Sequence, residues 1–431
     1  MALADFLITL LTFVTVYSLF GLGLNVKYGF TGLVDFGHVA YFMVGAYVTV
    51  VLTMPAEVAG YAGIGGLNLP AVFGALFPGG ALVGWFVGIA GGMVAAAATS
   101  LLVGVPTLRL REDYLAITAL GIATILNAVF ENEEWLFNGP YGVQSVYEPL
   151  GDLFPLGLGS FTLNMVVLGG LSVLLFLLAG YVVVQHARRA GRRMRLLLGG
   201  LVVLFVLWYF VQPVLAGGGM VAFERNLMWL FDPTAGQTGG LDYDRFLLLF
   251  ATGLLAVAYW WVERTVNSPY GRVLRAVRDD EDVPKALGKQ TYRYKIQAMM
   301  FGSALAGAAG ALWAIQLGFI SPEQFAPTLT FFAFTAVIIG GTANNKGVIL
   351  GTAAFWLINS GTRFLNDYIP SEYSVQLAAA RLMLIGVLLV VILYYRPEGI
   401  LGEQDYTVNV PEDDAGGAGS LGGLVGGGDG D

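Results

Sequence analysis

Residues 5–27 read DFLITLLTFVTVYSLFGLGLNVK: one acid, an uncharged apolar run from Phe6 to Val26, then a lysine. A helix needs about 20 mostly apolar residues to cross a bilayer, so this run is long enough to span. A cleavable signal carries a basic segment before its apolar core, whereas here Asp5 stands in that place. The reading is therefore a retained membrane helix, and the rest of the chain follows the same rule.

Ten further runs are candidates: Phe36–Met54, Ala81–Val105, Tyr114–Phe130, Leu163–Val184, Leu196–Leu215, Phe246–Val262, Ile296–Gly318, Leu329–Gly341, Val348–Thr362 and Val375–Tyr395. The ninth and tenth spans are short, which fits either a re-entrant pair or tilted helices. The expected fold is all-α, a polytopic transmembrane helical bundle of about 11 spans. Composition agrees. Of the 431 residues, 56% are hydrophobic and 12% charged, against about 25% charged in soluble domains. The 60 glycines suit membrane helices, whose backbones approach closely. The chain has no cysteine and two histidines, His38 and His186, which excludes thiol chemistry and a histidine-rich metal site.

Lysine and arginine stay on the cytoplasmic side of a membrane protein. With the N-terminus outside, 18 of the 22 basic residues fall in inside loops. Five cluster at Arg188–Arg195 and eight between Arg264 and Lys295, and Lys27 counts as an inside-loop residue. The opposite orientation reverses the count. Residues 403–431, rich in glycine and acid, lack the apolar content to fold and read as a disordered cytoplasmic tail.

The loop of residues 264–295 is the most informative. Ser268 and Pro269 make an N-cap with proline at the first helical position. Tyr270, Val273, Leu274 and Val277 then form an apolar helical stripe, with Arg272 and Arg275 opposite. A second short helix fits Glu281 to Leu287, ended by Gly288 at a left-handed cap, and Thr291 suits a cap for the next span. Two readings of such a basic amphipathic loop stand side by side: a helix lying on acidic lipid, or a lever inserted into a cytoplasmic partner.

The run Ser268-Pro-Tyr-Gly-Arg-Val-Leu-Arg-Ala-Val-Arg-Asp-Asp-Glu281, continued by Lys285-Ala-Leu-Gly288 and Arg293-Tyr-Lys295, resembles the coupling loop of branched-chain amino acid ABC permeases. Asp282 and Pro284 depart from that pattern. Tyr28–His38 with Gly45-Ala-Tyr47, Leu108–Tyr114, Ser321–Phe325, Ile339-Gly-Gly341, Gly347–Gly351 and Arg396-Pro-Glu-Gly399 follow in the family's order. The likeness covers most of residues 1–402, the permease domain. It lapses between about Gln185 and Asp244, where an extra hydrophobic hairpin, residues 195–244, reads as an insertion peripheral to transport.

The resemblance implies a membrane-spanning permease subunit of an ATP-binding-cassette importer in the plasma membrane. It would carry branched-chain amino acids or a related small polar solute; relatives carry urea and short amides. The implied partners are ABC ATPase subunits, a homologous permease subunit, an extracellular solute-binding protein, the small-molecule solute and the lipid bilayer, with no nucleic acid. Glu281, Ala286, Leu287 and Gly288 are the implied ATPase contacts.

Small residues mark another candidate set. Gly302, Gly307 and Gly310 lie in small-residue stripes of the eighth span, and Gly347 and Gly351 form a GxxxG pair; both serve helix packing or the wall of a solute path. Gly340–Gly347 is not a phosphate loop, because Lys346 is not followed by Ser or Thr. No Walker sequence occurs, so the chain is expected to be a transport subunit rather than an enzyme, with no cofactor. The charge clearly inside a span is Arg381, and ion-coupled carriers ordinarily bury more. A stand-alone secondary transporter or channel is the alternative. His38 is expected at a span entrance as an interfacial, hydrogen-bonded residue.

Single cysteines at Asn68, Tyr147 and Gln237 should react with an impermeant maleimide from outside, against no background thiol. Labelling only after permeabilisation would reverse the topology.

Overall fold

The computed structural model describes residues 3–149, 156–157, 240–366 and 374–402, apart from 59, 78, 79, 111, 145, 242 and 397. The fifth and sixth expected spans, the hairpin up to residue 239, and the tail 403–431 lie outside the described residues.

The helices are α1 (Leu3–Thr31), α2 (His38–Thr53), α3 (Leu69–Leu76), α4 (Gly80–Thr107), α5 (Glu112–Asn132), α6 (Glu134–Phe137), α7 (Tyr243–Val266), α8 (Pro269–Asp279), α9 (Asp282–Ala286), α10 (Thr291–Leu317), α11 (Thr328–Gly340), α12 (Asn345–Asn366) and α13 (Ser374–Tyr395). Nine of the eleven expected spans coincide with helices among the described residues. Six apolar segments among them are long enough to cross a membrane. Among the described residues the helices are joined by a two-residue antiparallel pair, Leu156–Gly157 with Gly240–Leu241, and by short 3-10 turns.

The ninth span is broken. Helix α11 has 13 residues, about 20 Å at 1.5 Å per residue, against a hydrocarbon core of about 30 Å. A 3-10 turn, Pro322–Phe325, stands in front of it and lengthens the apolar stretch. Asn127 of α5 holds that turn by donating to the Pro322 carbonyl at 2.8 Å. Helix α12 then returns after a tight turn at Gly341–Asn344.

Helix α10 is the centre, packing most extensively against α1, α2 and α4. From Gly302 to Ile315 it is buried almost all round. Small side chains make that possible. A Cβ on Gly302 would strike the Gly23 carbonyl of α1, and one on Gly310 the Phe42 carbonyl of α2. A Cβ on Gly307 would sit 2.8 Å from Ala96 Cβ and 3.1 Å from the Gly92 carbonyl of α4. Without a hydrophobic force between helices in lipid, such backbone approach supplies the packing.

Gly307→Val should therefore force α10 off α4, an overpacking worth about 1–3 kcal/mol. Gly253, on the outer face of α7, has nothing within 4 Å of the place a Cβ would take, so Gly253→Val should be tolerated. Size-exclusion profiles and thermal melts of the two variants in detergent should diverge; equal behaviour would refute the central role of this crossing.

Candidate functional site

The loop folds largely as its residues dictate. Ser268 Oγ accepts the Tyr270 amide at 3.2 Å, with Pro269 at the first helical position. Leu274 and Val277 are buried beneath α8, and Tyr270 is half-buried with its ring 5.5 Å from that of Tyr294. The arginines differ from the sequence expectation. Arg272 is exposed, but Arg275 turns inward, donating to the Val266 carbonyl at 3.2 Å and lying over the Phe30 ring. Arg278 donates to the Gly29 carbonyl at 2.7 Å. These acceptors lie in the last turns of α7 and α1, where helix carbonyls lack partners and the dipole favours a cation.

The second helix, α9, spans Asp282–Ala286 with Glu281 before it and Leu287 closing it. Gly288 adopts φ +73°, the left-handed conformation, and leaves open space where a Cβ would be. Ala286 and Gly288 are exposed, as are Val283 (53%) and Leu287 (75%). Glu281 points the other way. It accepts from Lys295 Nζ at 2.6 Å and Thr291 Oγ1 at 2.8 Å, and so pins α9 to the foot of α10. Thr291 is thus the first residue of α10 rather than its cap, which is Gln290. Burial would raise the Glu281 carboxyl, but the hydrogen bonds from Lys295 and Thr291 and the charges of Lys295 and Lys285 outweigh it and hold it below the usual carboxylate range. With the folded value below the unfolded one, the pin stabilises at neutral pH and fades as pH falls through the folded value.

Beside this loop lies a buried polar group that composition concealed. Lys27 is not in a loop; α1 runs on to Thr31 and the lysine is fully buried. Its Nζ contacts Asp35 Oδ2 at 2.7 Å and His38 Nδ1 at 3.1 Å, and sits 4.1 Å from the Tyr41 ring centroid. His38 Nε2 lies 3.1 Å from the Phe20 carbonyl, which suits a proton on Nε2. His38, the first residue of α2, is thus hydrogen-bonded as expected, but fully buried within the protein. A lysine and an aspartate eight residues apart, astride the Gly32 turn, were the available signal.

A second polar chain joins α1, α12 and α7. Asn25 Oδ1 accepts the Ala343 amide at 3.0 Å, Asn25 Nδ2 donates to Asn345 Oδ1 at 3.1 Å, and Asn345 Nδ2 to Glu263 Oε2 at 2.8 Å. Ile339–Gly341, Gly347–Gly351 and Arg396–Gly399, far apart in sequence, meet here. Ile400 N donates to Ile339 O at 2.9 Å, Leu401 N to Gly340 O at 3.2 Å and Asn344 Nδ2 to Gly402 O at 2.8 Å. Cβ atoms on Gly347 and Gly351 would strike the Gly340 and Ala336 carbonyls of α11. All five candidate glycines thus stand at helix crossings.

Six apolar segments long enough to cross a membrane, packed against one another, mark a multi-pass membrane protein. The family described as "Branched-chain amino acid transport system / permease component" matches residues 6–393, and the chain belongs to it. The high-affinity branched-chain amino acid transport system permease protein LivM of Escherichia coli is 29% identical over 390 residues, 90% of this chain and 68% of that protein. A probable branched-chain amino acid transport permease protein LivM of Methanocaldococcus jannaschii is 35% identical over 168 residues, 37% of this chain and 46% of that one. An autoinducer 2 import system permease protein LsrC of Yersinia pseudotuberculosis is 30% identical over 201 residues, 43% and 55% of the two chains. No solved structure matches.

Lys27→Met strands Asp35 in the core, and breaking a buried pair from one side costs about 3–5 kcal/mol. The melting temperature should fall sharply and recover in part in the K27M/D35L double variant. An unchanged melt of the single variant would show that the pair carries no stability.

Proposed function

We propose that this chain is the membrane-spanning permease subunit of an ATP-driven importer for branched-chain amino acids or a related small polar solute, with its N-terminus outside and its C-terminus in the cytoplasm of a cell bounded by the plasma membrane it spans. A homologous permease, ABC ATPase subunits and an extracellular solute-binding protein complete the machine. Family membership supports the class. The observation that carries the ATPase partnership is α9 with its flanks: Val283 and Leu287 exposed on a short helix whose other side is anchored by Glu281 to Lys295 and Thr291. Exposed apolar side chains on a stiff mount suit a contact that must transmit force. Glu281 serves this contact as its anchor, and Ala286, Leu287 and Gly288 as its surface.

An ion-driven stand-alone carrier is the other reading, favoured by buried Lys27, Asp35 and His38, since carriers bury ionisable groups for the coupling ion. The two part in proteoliposomes: uptake that requires the ATPase subunits and ATP supports the importer, and uptake by the chain alone under an ion gradient supports the carrier.

Gly288→Val places a β-branched residue at positive φ, a strain of about 1–2 kcal/mol. The chain should still insert, because nothing in it is struck, yet solute-stimulated ATP hydrolysis by the assembled complex should fall. Glu281→Lys should act in the same direction by repelling Lys295. Full stimulation in both variants would remove the coupling assignment.

A further inference from the structure

Between the start of α8 and the foot of α10 lies an open surface pocket of about 420 Å³, lined by Tyr270, Gly288, Lys289, Gln290, Arg293, Tyr294 and Gln297, of which Lys289 and Arg293 are exposed. That is within the size range of small-ligand sites. Its chemistry is one-sided. Two cations and several neutral donors converge, and no carboxylate is among its described lining. The side chains of Lys289 and Arg293 make no ion pair or hydrogen bond among the described residues. This sets them apart from Arg275 and Arg278, which are engaged by helix carbonyls. The first residue of α10, Thr291, is already engaged by Glu281, so Lys289 and Arg293 carry the preference for a further anion.

The position of the pocket indicates the source of that anion. Gln297 is followed one turn later on the same face by Phe301, whose ring stacks on Trp261 of α7 at 4.0 Å. Tyr270 and Phe301 together line the apolar cleft between α7, α8 and α10. Trp260 and Trp261 are exposed, with Arg264 over the Trp260 ring. Exposed tryptophan and arginine at a span end mark the boundary between hydrocarbon and headgroups. The pocket therefore lies at headgroup height, above the exposed apolar wall of Val257 and Trp260. The basic loops place this end at the cytoplasmic leaflet, which carries the anionic lipids.

We propose that this pocket binds the phosphate of an anionic phospholipid, held by Lys289 and Arg293, with the acyl chains along the outer face of α7. The proposal reassigns the lipid contact from the α8 arginines to the foot of α10. It rests on the proposed orientation, with this loop on the cytoplasmic side, but not on the importer reading, because lipid binding is read on the chain alone.

The test is native mass spectrometry of the purified full-length chain in detergent with phosphatidylglycerol or phosphatidylcholine. Wild type should retain phosphatidylglycerol preferentially, and retention should drop roughly fivefold for each cation removed, the factor expected of a surface lysine or arginine. K289Q/R293Q should thus approach the phosphatidylcholine level. K289R/R293K should retain the lipid, as should R272Q, whose charge lies on the exposed face of α8. Millimolar inorganic phosphate should not displace it. Undiminished retention in K289Q/R293Q overturns the proposal, as does an equal loss in R272Q, which would mean unspecific surface charge. Displacement by inorganic phosphate would mark a free-phosphate site instead. Intact lipid retention with lost ATPase binding would assign the cations to a protein contact. Should the double variant fail to elute as a single species, K289Q and R293Q alone provide the same comparison.

Discussion

Gly302 meets the carbonyl of Gly23, Gly310 that of Phe42, and Gly307 the α4 backbone, so one helix touches three others at backbone distance. Everything else is arranged around α10 in consequence. Lipid tails are as apolar as leucine, so a membrane bundle gains little by hiding apolar side chains and must gain from contact density instead. Large residues would hold the helices further apart and lose that contact to side-chain entropy. Aromatic rings fill the wider spaces that this central crossing leaves: Tyr17 lies 4.3 Å from Trp356 and 5.3 Å from Trp313, ring to ring, joining α1, α10 and α12.

The second constraint is that polar groups in hydrocarbon need partners within the protein. Three sets of side chains meet it at one end of the bundle. Lys27, Asp35 and His38 answer each other; Asn25, Asn345 and Glu263 form a chain; Asn344 Oδ1 accepts the Lys346 and Gly347 amides at the start of α12. These groups interrupt the span pattern only briefly in sequence, yet they tie α1, α2, α7 and α12 together where the apolar packing ends. A buried ion pair adds little net stability compared with a well-packed apolar core, but it penalises any register in which one member is left alone. The pairing therefore specifies how α1 and α2 meet.

What was legible from the residues followed periodicity and capping. Phe6 to Val26 announced a span, Ser268-Pro269 a helix start, and Gly288 a left-handed stop, because each depends on local chemistry alone. Two kinds of feature were hidden. The engagement of Arg275 and Arg278 depends on the carbonyls of Val266 and Gly29, the second of which lies 249 positions away from Arg278; a helical wheel shows which face they occupy but not what faces them. Lys27 was misplaced because a charge after an apolar run marks a span end unless a counter-charge permits burial, and Asp35 supplies one only once the chain has turned. The glycines of α10 and α12 were visible as close-approach positions, whereas their partners on α1, α2, α4 and α11 were not.

These hidden contacts bear on how the loop could act. A lever transmits motion only if it is stiffer than what it moves. Helix α8 is fastened by Arg275 to the end of α7 and by Arg278 to the end of α1, and α9 is fastened by Glu281 to the foot of α10. A push on Val283 and Leu287 therefore reaches three helices through charge-assisted hydrogen bonds of 2.6–3.2 Å. Of these, α10 is the one whose displacement cannot be local: its glycines leave no slack against α1, α2 and α4. Under the proposed coupling role, the close packing that makes the bundle possible in lipid is also what would carry such a push from the loop to α1, α2 and α4 together.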